Sequence, residues 1–234
     1  MVETETVSFA AEPFRISIHE IGRYAGGARY KLDSRTETLA AEVVEQAGAL
    51  ADPVFTYALH TVESVDRQNR IFLAGGDHVE IPEEENDPKT VSLAAVVCTL
   101  GPNLEKKTQQ LMADGDLLTA MFLDAAGVAV LEMLGGRARK HIKNKAFEAG
   151  LFTGCPFGPG YNNLPLDSQK KLFKHVDAEH IGVRLNESGV MLPMKSISFW
   201  LRITGDKKTA EDHGYKCRKC EMRNCIYRKE PPYT

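Results

Sequence analysis

The sequence predicts an α+β fold, with strands at both ends of a helical middle. Three observations carry this. Runs rich in β-branched and aromatic residues, PVFTYALHTV from Pro53 and TVSLAAVVCTLG from Thr90, occupy the first half of the chain. A long apolar run, LLTAMFLDAAGVAVLEML, fills Leu117 to Leu134. Further β-type residues return in VRLNESGVMLPMKSISFWLRI, Val183 to Ile203.

Taken in order, Phe14, Ile16 and Ile18 suggest a short extended segment leading into a brief helix that Gly26 and Gly27 stop. Thr36 to Ala51 places Leu39, Val43, Val44, Ala47 and Leu50 at helical spacing. PVFTYALHTV and IFLAGG read as strands. EIPEEENDP, Glu80 to Pro88, reads as an acidic loop with no capacity to pack. TVSLAAVVCTLG is a buried strand ending at Gly101 and Pro102. A helix follows from Asn103 to Ala113.

The apolar run is expected to be a buried helix, with Asp116 near its start and Gly135-Gly136 as a weak point or end. A basic helix is then expected from Arg137 to about Ala149. GLFTGCPFGPGYNNLP, Gly150 to Pro165, holds four glycines and three prolines in sixteen residues and reads as a loop. Asp167 to Val176 reads as a capped helix, and Val183 to Ile203 as two strands around a polar turn. Packing signals stop near Gly205, which divides the chain into a domain of residues 1–205 and a tail of residues 206–234.

With 43% hydrophobic and 26% charged residues, the 234-residue chain has the composition of a soluble globular protein. A net charge of −3 gives no electrostatic reason to expect nucleic acid as a partner. Asp124 and Glu132 interrupt the apolar run, so no stretch reaches the ~18 uncharged residues of a membrane span. The opening MVETETVSFAAEPF has no apolar signal core, and a cytoplasmic location is expected.

Five cysteines are present, and Cys217, Cys220 and Cys225 lie within nine residues, interleaved with basic side chains. That clustering favours a reducing compartment and metal or cluster ligation over disulfides. Iron–sulfur and zinc both fit three or four thiolates. A fourth ligand is Cys155, or solvent, or another side chain. Cys98 is the poorer candidate, because an apolar strand is the usual place of a plain buried thiol.

The histidines, including His60, His78, His141, His175 and His180, form no ligand-spaced pair and read as ordinary surface or strand residues. Nucleotide-loop, nucleophile-elbow and zinc-protease motifs are absent. GPGYNNLP is the loop that asks for a ligand, since glycine admits close backbone approach and tyrosine offers a face and a hydroxyl. Glu132 and Asp124 are acids on an apolar helix. Each either turns to solvent or needs a cation, for which Arg137 and Arg139 are at hand.

Together CTLGPNLEKKTQQLMADGDLLTAMFLDAAGVAVLEMLGGRAR, GPGYNNLPLDSQKKLF and IGVRLNESGVMLPMKSISFW resemble the activation domain of cobalamin-dependent methionine synthase. The resemblance is nearest to stand-alone members with a cysteine-rich tail, and spans roughly Ser92 to Ile203. It implies a twisted antiparallel sheet with surrounding helices and a shallow groove for S-adenosylmethionine. The activity it implies is reductive reactivation, by methyl transfer, of a corrinoid methyltransferase such as methionine synthase. The partner would carry the cobalamin, and a flavodoxin- or ferredoxin-like donor would supply the electron.

The matching positions are Glu132 on the apolar helix, Pro159, Gly160 and Tyr161 in the loop, and Glu187 and Ser188 at the later turn. One position departs: where the family carries an arginine, five residues before the tyrosine, this chain has Pro156. The anchor for the ligand's carboxylate is then missing, or is supplied by Arg137, Arg139 or Lys195. A second reading is an iron–sulfur interaction protein that donates electrons to a corrinoid protein without methyl transfer. A third is a zinc-stapled domain with neither activity.

Overall fold

The β-type runs pair into one antiparallel sheet in the computed structural model, which describes residues 3–9, 14–27, 29–160, 164–211 and 225. Its strands are β1 (Glu3–Ser8), β2 (Val54–Val65), β3 (Arg70–Leu73), β4 (His78–Glu80), β5 (Thr90–Thr99), β6 (Phe152–Phe157) and β9 (Ser196–Thr204). The short strands β7 (Arg184–Leu185) and β8 (Met191–Leu192) form a separate hairpin. The sheet order is β4-β3-β2-β5-β9-β6, and β1 pairs along the first half of β2.

Helices α1 (Ile18–Gly26), α2 (Ser34–Leu50), α3 (Asn103–Ala113) and α4 (Leu117–Glu148) build one face, while α5 (Ser168–Phe173) lies on the other. The short α6 (Lys207–Glu211) packs against β6 and β9. The mixed fold expected from the sequence is therefore the one found.

β5 explains why the sheet can be covered on both sides. Successive residues of a strand point to opposite faces. Ala94, Val96 and Cys98 enter the helical core, and Leu93, Ala95 and Val97 the opposite one. A strand buried on both faces reads as a continuous apolar run.

Helix starts follow capping chemistry. Asp33 caps α2 by accepting the Thr36 N–H at 2.9 Å, while the Thr36 hydroxyl accepts the Asp33 N–H at 2.8 Å. Asp116 caps α4, accepting from Thr119.

Three expectations are corrected. First, Gly135-Gly136 does not end the apolar helix, and the apolar and basic segments form one α4. A Cβ at Gly135 would stand 2.7 Å from Ile197 Cδ1, so the glycine lets α4 lie directly on β9. That packing outweighs the roughly 1 kcal/mol a mid-helix glycine costs.

Second, Gly150 to Pro165 is not all loop, because β6 pairs antiparallel with β9. Edge position and a register shift between Thr153 and Pro156 accommodate the proline. Third, the acidic segment packs. Ile81, Glu85 and Asp87 are buried, because the wholly buried Arg202 of β9 donates Nε to Glu85 at 2.9 Å and Nη1 to Asp87 at 2.7 Å. Asp87 also accepts the Thr204 and Thr209 hydroxyls, and the Thr209 carbonyl accepts from Arg202 Nη2 at 3.1 Å, which ties α6 to the sheet.

β1 was not legible as a strand. Glu5 fastens it by accepting from the Tyr57 hydroxyl at 2.8 Å, with His141 Nε2 and Lys145 of α4 alongside. α4 is the one described helix long and apolar enough to cross a membrane, and much of its apolar surface is buried against the rest of the protein.

Candidate functional site

Next to Glu132 and Pro159-Gly160 in sequence, Gly135 of α4 and Gly158 approach β9 from two elements. Glu132 is exposed on α4, one turn before Gly135, the residue seated on Ile197. Two residues along β9, Phe199 lies beneath Gly158. A Cβ at Gly158 would stand 3.1 Å from the Ser198 carbonyl oxygen and 3.2 Å from Phe199 Cα, so the chain crosses β9 where only glycine fits. Pro159 is buried, and Gly160 takes φ +77° while donating to the Leu164 carbonyl at 3.1 Å. Tyr161 lies outside the described residues.

α1 completes the Glu132 side. Burial first, and the Glu132 carboxylate second, push the Tyr24 phenol above its usual range. The Arg23 guanidinium lies 3.9 Å from the centroid of the Tyr24 ring and donates to Glu20 at 2.6 Å. Glu132 itself makes no hydrogen bond or ion pair among the described residues.

Glu187 and Ser188 are exposed on the turn between β7 and β8, on the face opposite α4. Buried Gln169 of α5 donates to the Gly189 carbonyl at 3.0 Å, joining that turn to the helix that follows the loop. The turn is therefore coupled to Pro159-Gly160 through α5, and no contact joins it to Glu132 among the described residues.

Asp124 is paired by Lys195 at 2.5 Å, not by Arg137 or Arg139. Arg137 instead lies 4.0 Å from the Phe14 ring centroid and 5.4 Å from that of Phe9.

Cys155 is half-buried in β6, with its N–H donating to Glu85 Oε1 at 3.3 Å. Cys225 is half-buried, and Cys217 and Cys220 lie outside the described residues. Among the described residues no three metal-ligating side chains gather. Cys98 is fully buried, and desolvation pushes its thiol far up, the behaviour of an inert core cysteine.

Sequence reasoning missed one constellation. His60 and His175, far apart in the chain, meet edge to face with ring centroids 4.8 Å apart. His60 Nε2 donates to the His175 carbonyl at 2.7 Å, and His175 Nε2 lies 2.8 Å from Asp77 Oδ2. Against the upward push of desolvation, the hydrogen bonds from His175 and the His78 N–H, with Lys171, hold Asp77 down at about 2. These histidines line a groove of about 650 Å³. A second groove, of about 510 Å³, lies at the start of α3. Neither is lined by Glu132, Pro159 or Gly160.

Residues 54–221 match the family model described as the activation domain of vitamin B12-dependent methionine synthase. Among solved structures, one titled as the MetH reactivation domain bound to AdoHcy superposes with a TM-score of 0.62 at 14% identity, over 91% of this chain and 80% of that one. At that identity the likeness speaks for the fold. No curated protein sequence matches.

Proposed function

The chain belongs to the family of the activation domain of vitamin B12-dependent methionine synthase, and from that premise we propose that it reactivates a corrinoid methyltransferase by presenting S-adenosylmethionine. The observation that carries this reading is the seating of Gly135, one turn from Glu132, on Ile197 and of Gly158, next to Pro159-Gly160, on Ser198 and Phe199 of β9. In this reading the exposed Glu132 meets the ligand's ammonium, and the buried Pro159 holds a backbone that can pass close to the nucleoside. Tyr161, the next residue, packs on the ligand. Glu187 and Ser188 rim the site from the α5 side.

The chemistry asks mainly for positioning. S-adenosylmethionine carries an already activated methyl group, and one electron takes the partner's cob(II) to cob(I). The methyl group then passes from sulfonium to cobalt, leaving S-adenosylhomocysteine. A cob(II)-loaded methionine synthase cobalamin module, a chemical reductant and S-adenosylmethionine should yield methylcobalamin at least tenfold faster with this protein present. No acceleration would refute the reading. Tyr161→Ala should cut affinity for S-adenosylmethionine at least tenfold.

Pro156, in place of the family's arginine, favours a second reading, electron donation to a corrinoid protein without methyl transfer. Both readings use the tail as an iron–sulfur centre held by Cys217, Cys220 and Cys225, with Cys155 as fourth ligand; zinc is the alternative metal. What supports Cys155 is placement. It sits on the edge strand against which α6 packs, and Cys217 follows Glu211 by six residues, a reach of about 20 Å when extended. Anaerobically purified protein should contain iron and sulfide and absorb near ~400 nm, and Cys155→Ala should bleach it. Full iron with an unchanged spectrum in that variant removes Cys155, and stoichiometric zinc without iron removes the redox role.

A further inference from the structure

The groove of about 650 Å³ on the α5 side of the sheet is not lined by Glu132, Pro159 or Gly160. Two histidines line it, His60 of β2 and His175 just beyond α5, 115 residues apart in sequence and 4.8 Å apart between ring centroids. Each has its Nε2 committed. A carbonyl oxygen only accepts, so His60 Nε2 carries a proton and donates it to the His175 carbonyl at 2.7 Å. Asp77, held down at about 2, is ionised at neutral pH, so His175 Nε2 likewise donates, to Oδ2 at 2.8 Å. Both Nδ1 atoms are left without a hydrogen-bond partner among the described residues, and neither is sealed from solvent.

We propose that His60 and His175 bind a divalent transition-metal ion in this groove through their Nδ1 atoms. The site stands independently of the S-adenosylmethionine reading. Its wiring is that of metal-ligating histidines, which give their other ring N–H to a carboxylate or a backbone carbonyl. This pair uses one of each. The spacing agrees. Two imidazoles on one ion, at metal–nitrogen distances of about 2.0–2.1 Å and angles of about 90–110°, stand roughly 4.5–5.2 Å apart between centroids. The observed 4.8 Å lies in that range. Burial, with His175 adding to it, favours neutral His60, the form that ligates.

No third histidine, cysteine or carboxylate gathers with the pair among the described residues. Water then fills the remaining positions, and the ion is held less tightly than in a closed four-ligand structural site. Imidazole ligands select zinc, copper or nickel, whereas magnesium and calcium take oxygen. An ion held this way cross-links β2 to the segment that follows α5.

The test is a titration of the full chain, isotopically labelled at the histidine nitrogens, with zinc chloride at neutral pH, read by long-range proton–nitrogen spectra. The Nδ1 resonances of His60 and His175 should shift together and saturate at the same zinc concentration, while both Nε2 atoms stay protonated. The readout follows imidazole nitrogens, so zinc taken up by the tail cysteines does not enter it. His60→Gln and His175→Gln should each weaken zinc binding at the remaining histidine at least tenfold, and Asp77→Asn, which keeps both ligands, should weaken it about tenfold. His19→Gln, on α1, should leave it unchanged. If His60→Gln does not fold, Asp77→Asn and His175→Gln carry the test. Nδ1 resonances unmoved at millimolar zinc overturn the site, as does a shift at one histidine that survives loss of the other.

Discussion

Two arginine–carboxylate clusters in this molecule are built from the same residue types and meet opposite fates. Arg202, Glu85 and Asp87 are sealed, with side chains 0%, 4% and 4% exposed. Arg23 and Glu20 pair nearer the surface, with side chains 11% and 39% exposed, and Glu132 on the neighbouring α4 is exposed. In the first cluster Arg202, the Thr204 and Thr209 hydroxyls and the Lys89 N–H all donate to Asp87. In the second, Arg23 donates to Glu20 at 2.6 Å nearer the surface. The difference separates an ionic clamp that holds the fold from a more exposed ion pair that contributes less to it.

Breaking the clamp should have the largest effect. Arg202→Met leaves two buried carboxylates without their cation, and the expected loss is about 3–5 kcal/mol in urea unfolding. A loss below about 1 kcal/mol would mean that the segment around Glu85 is not held this way. Gly154→Ala attacks the clamp from the other side. Its Cβ would stand 2.5 Å from Glu85 Oε2 and 2.7 Å from Arg202 Nη2, for an expected loss of about 1–3 kcal/mol. A wild-type unfolding midpoint in that variant would show that the clamp yields.

The His60–His175 contact lies between these extremes. Burial, with the neighbouring His175 adding to it, holds His60 below its ordinary pKa despite its bond to the His175 carbonyl. The neutral form is the one the fold accepts. The stability it contributes is therefore complete above about pH 6.5 and is lost as pH falls through the lowered folded value. The melting temperature should drop between pH 7 and 5, and drop less in His60→Gln. Equal drops would exclude His60 as the source.

Elements punctuated by proline and glycine were legible in the sequence, and α3 occupies the expected Asn103–Ala113. β6 was not, because Gly154 and Pro156 look like loop residues; one glycine makes room for Arg202 and Glu85, and the proline sits on an edge strand. The buried acids were hidden for a related reason. EEEND looks solvated until its partner is found more than a hundred residues later, inside the apolar run FWLRI. Of the candidate site, Glu132, Pro159 and Gly160 were named from family resemblance, and no spacing or periodicity in the sequence singled them out. The packing of α1 on α4 was not legible, since it joins segments about a hundred residues apart.

The most direct test of the contrast is Glu132→Gln, measured twice on one preparation. An exposed acid outside the clamp should leave the unfolding free energy within about 0.5 kcal/mol of wild type. In calorimetry the same variant should bind S-adenosylmethionine at least tenfold more weakly. A large stability loss with unchanged binding would contradict the account and make Glu132 part of the frame. Wild-type protein showing no heat and no thermal shift at millimolar ligand would contradict it altogether.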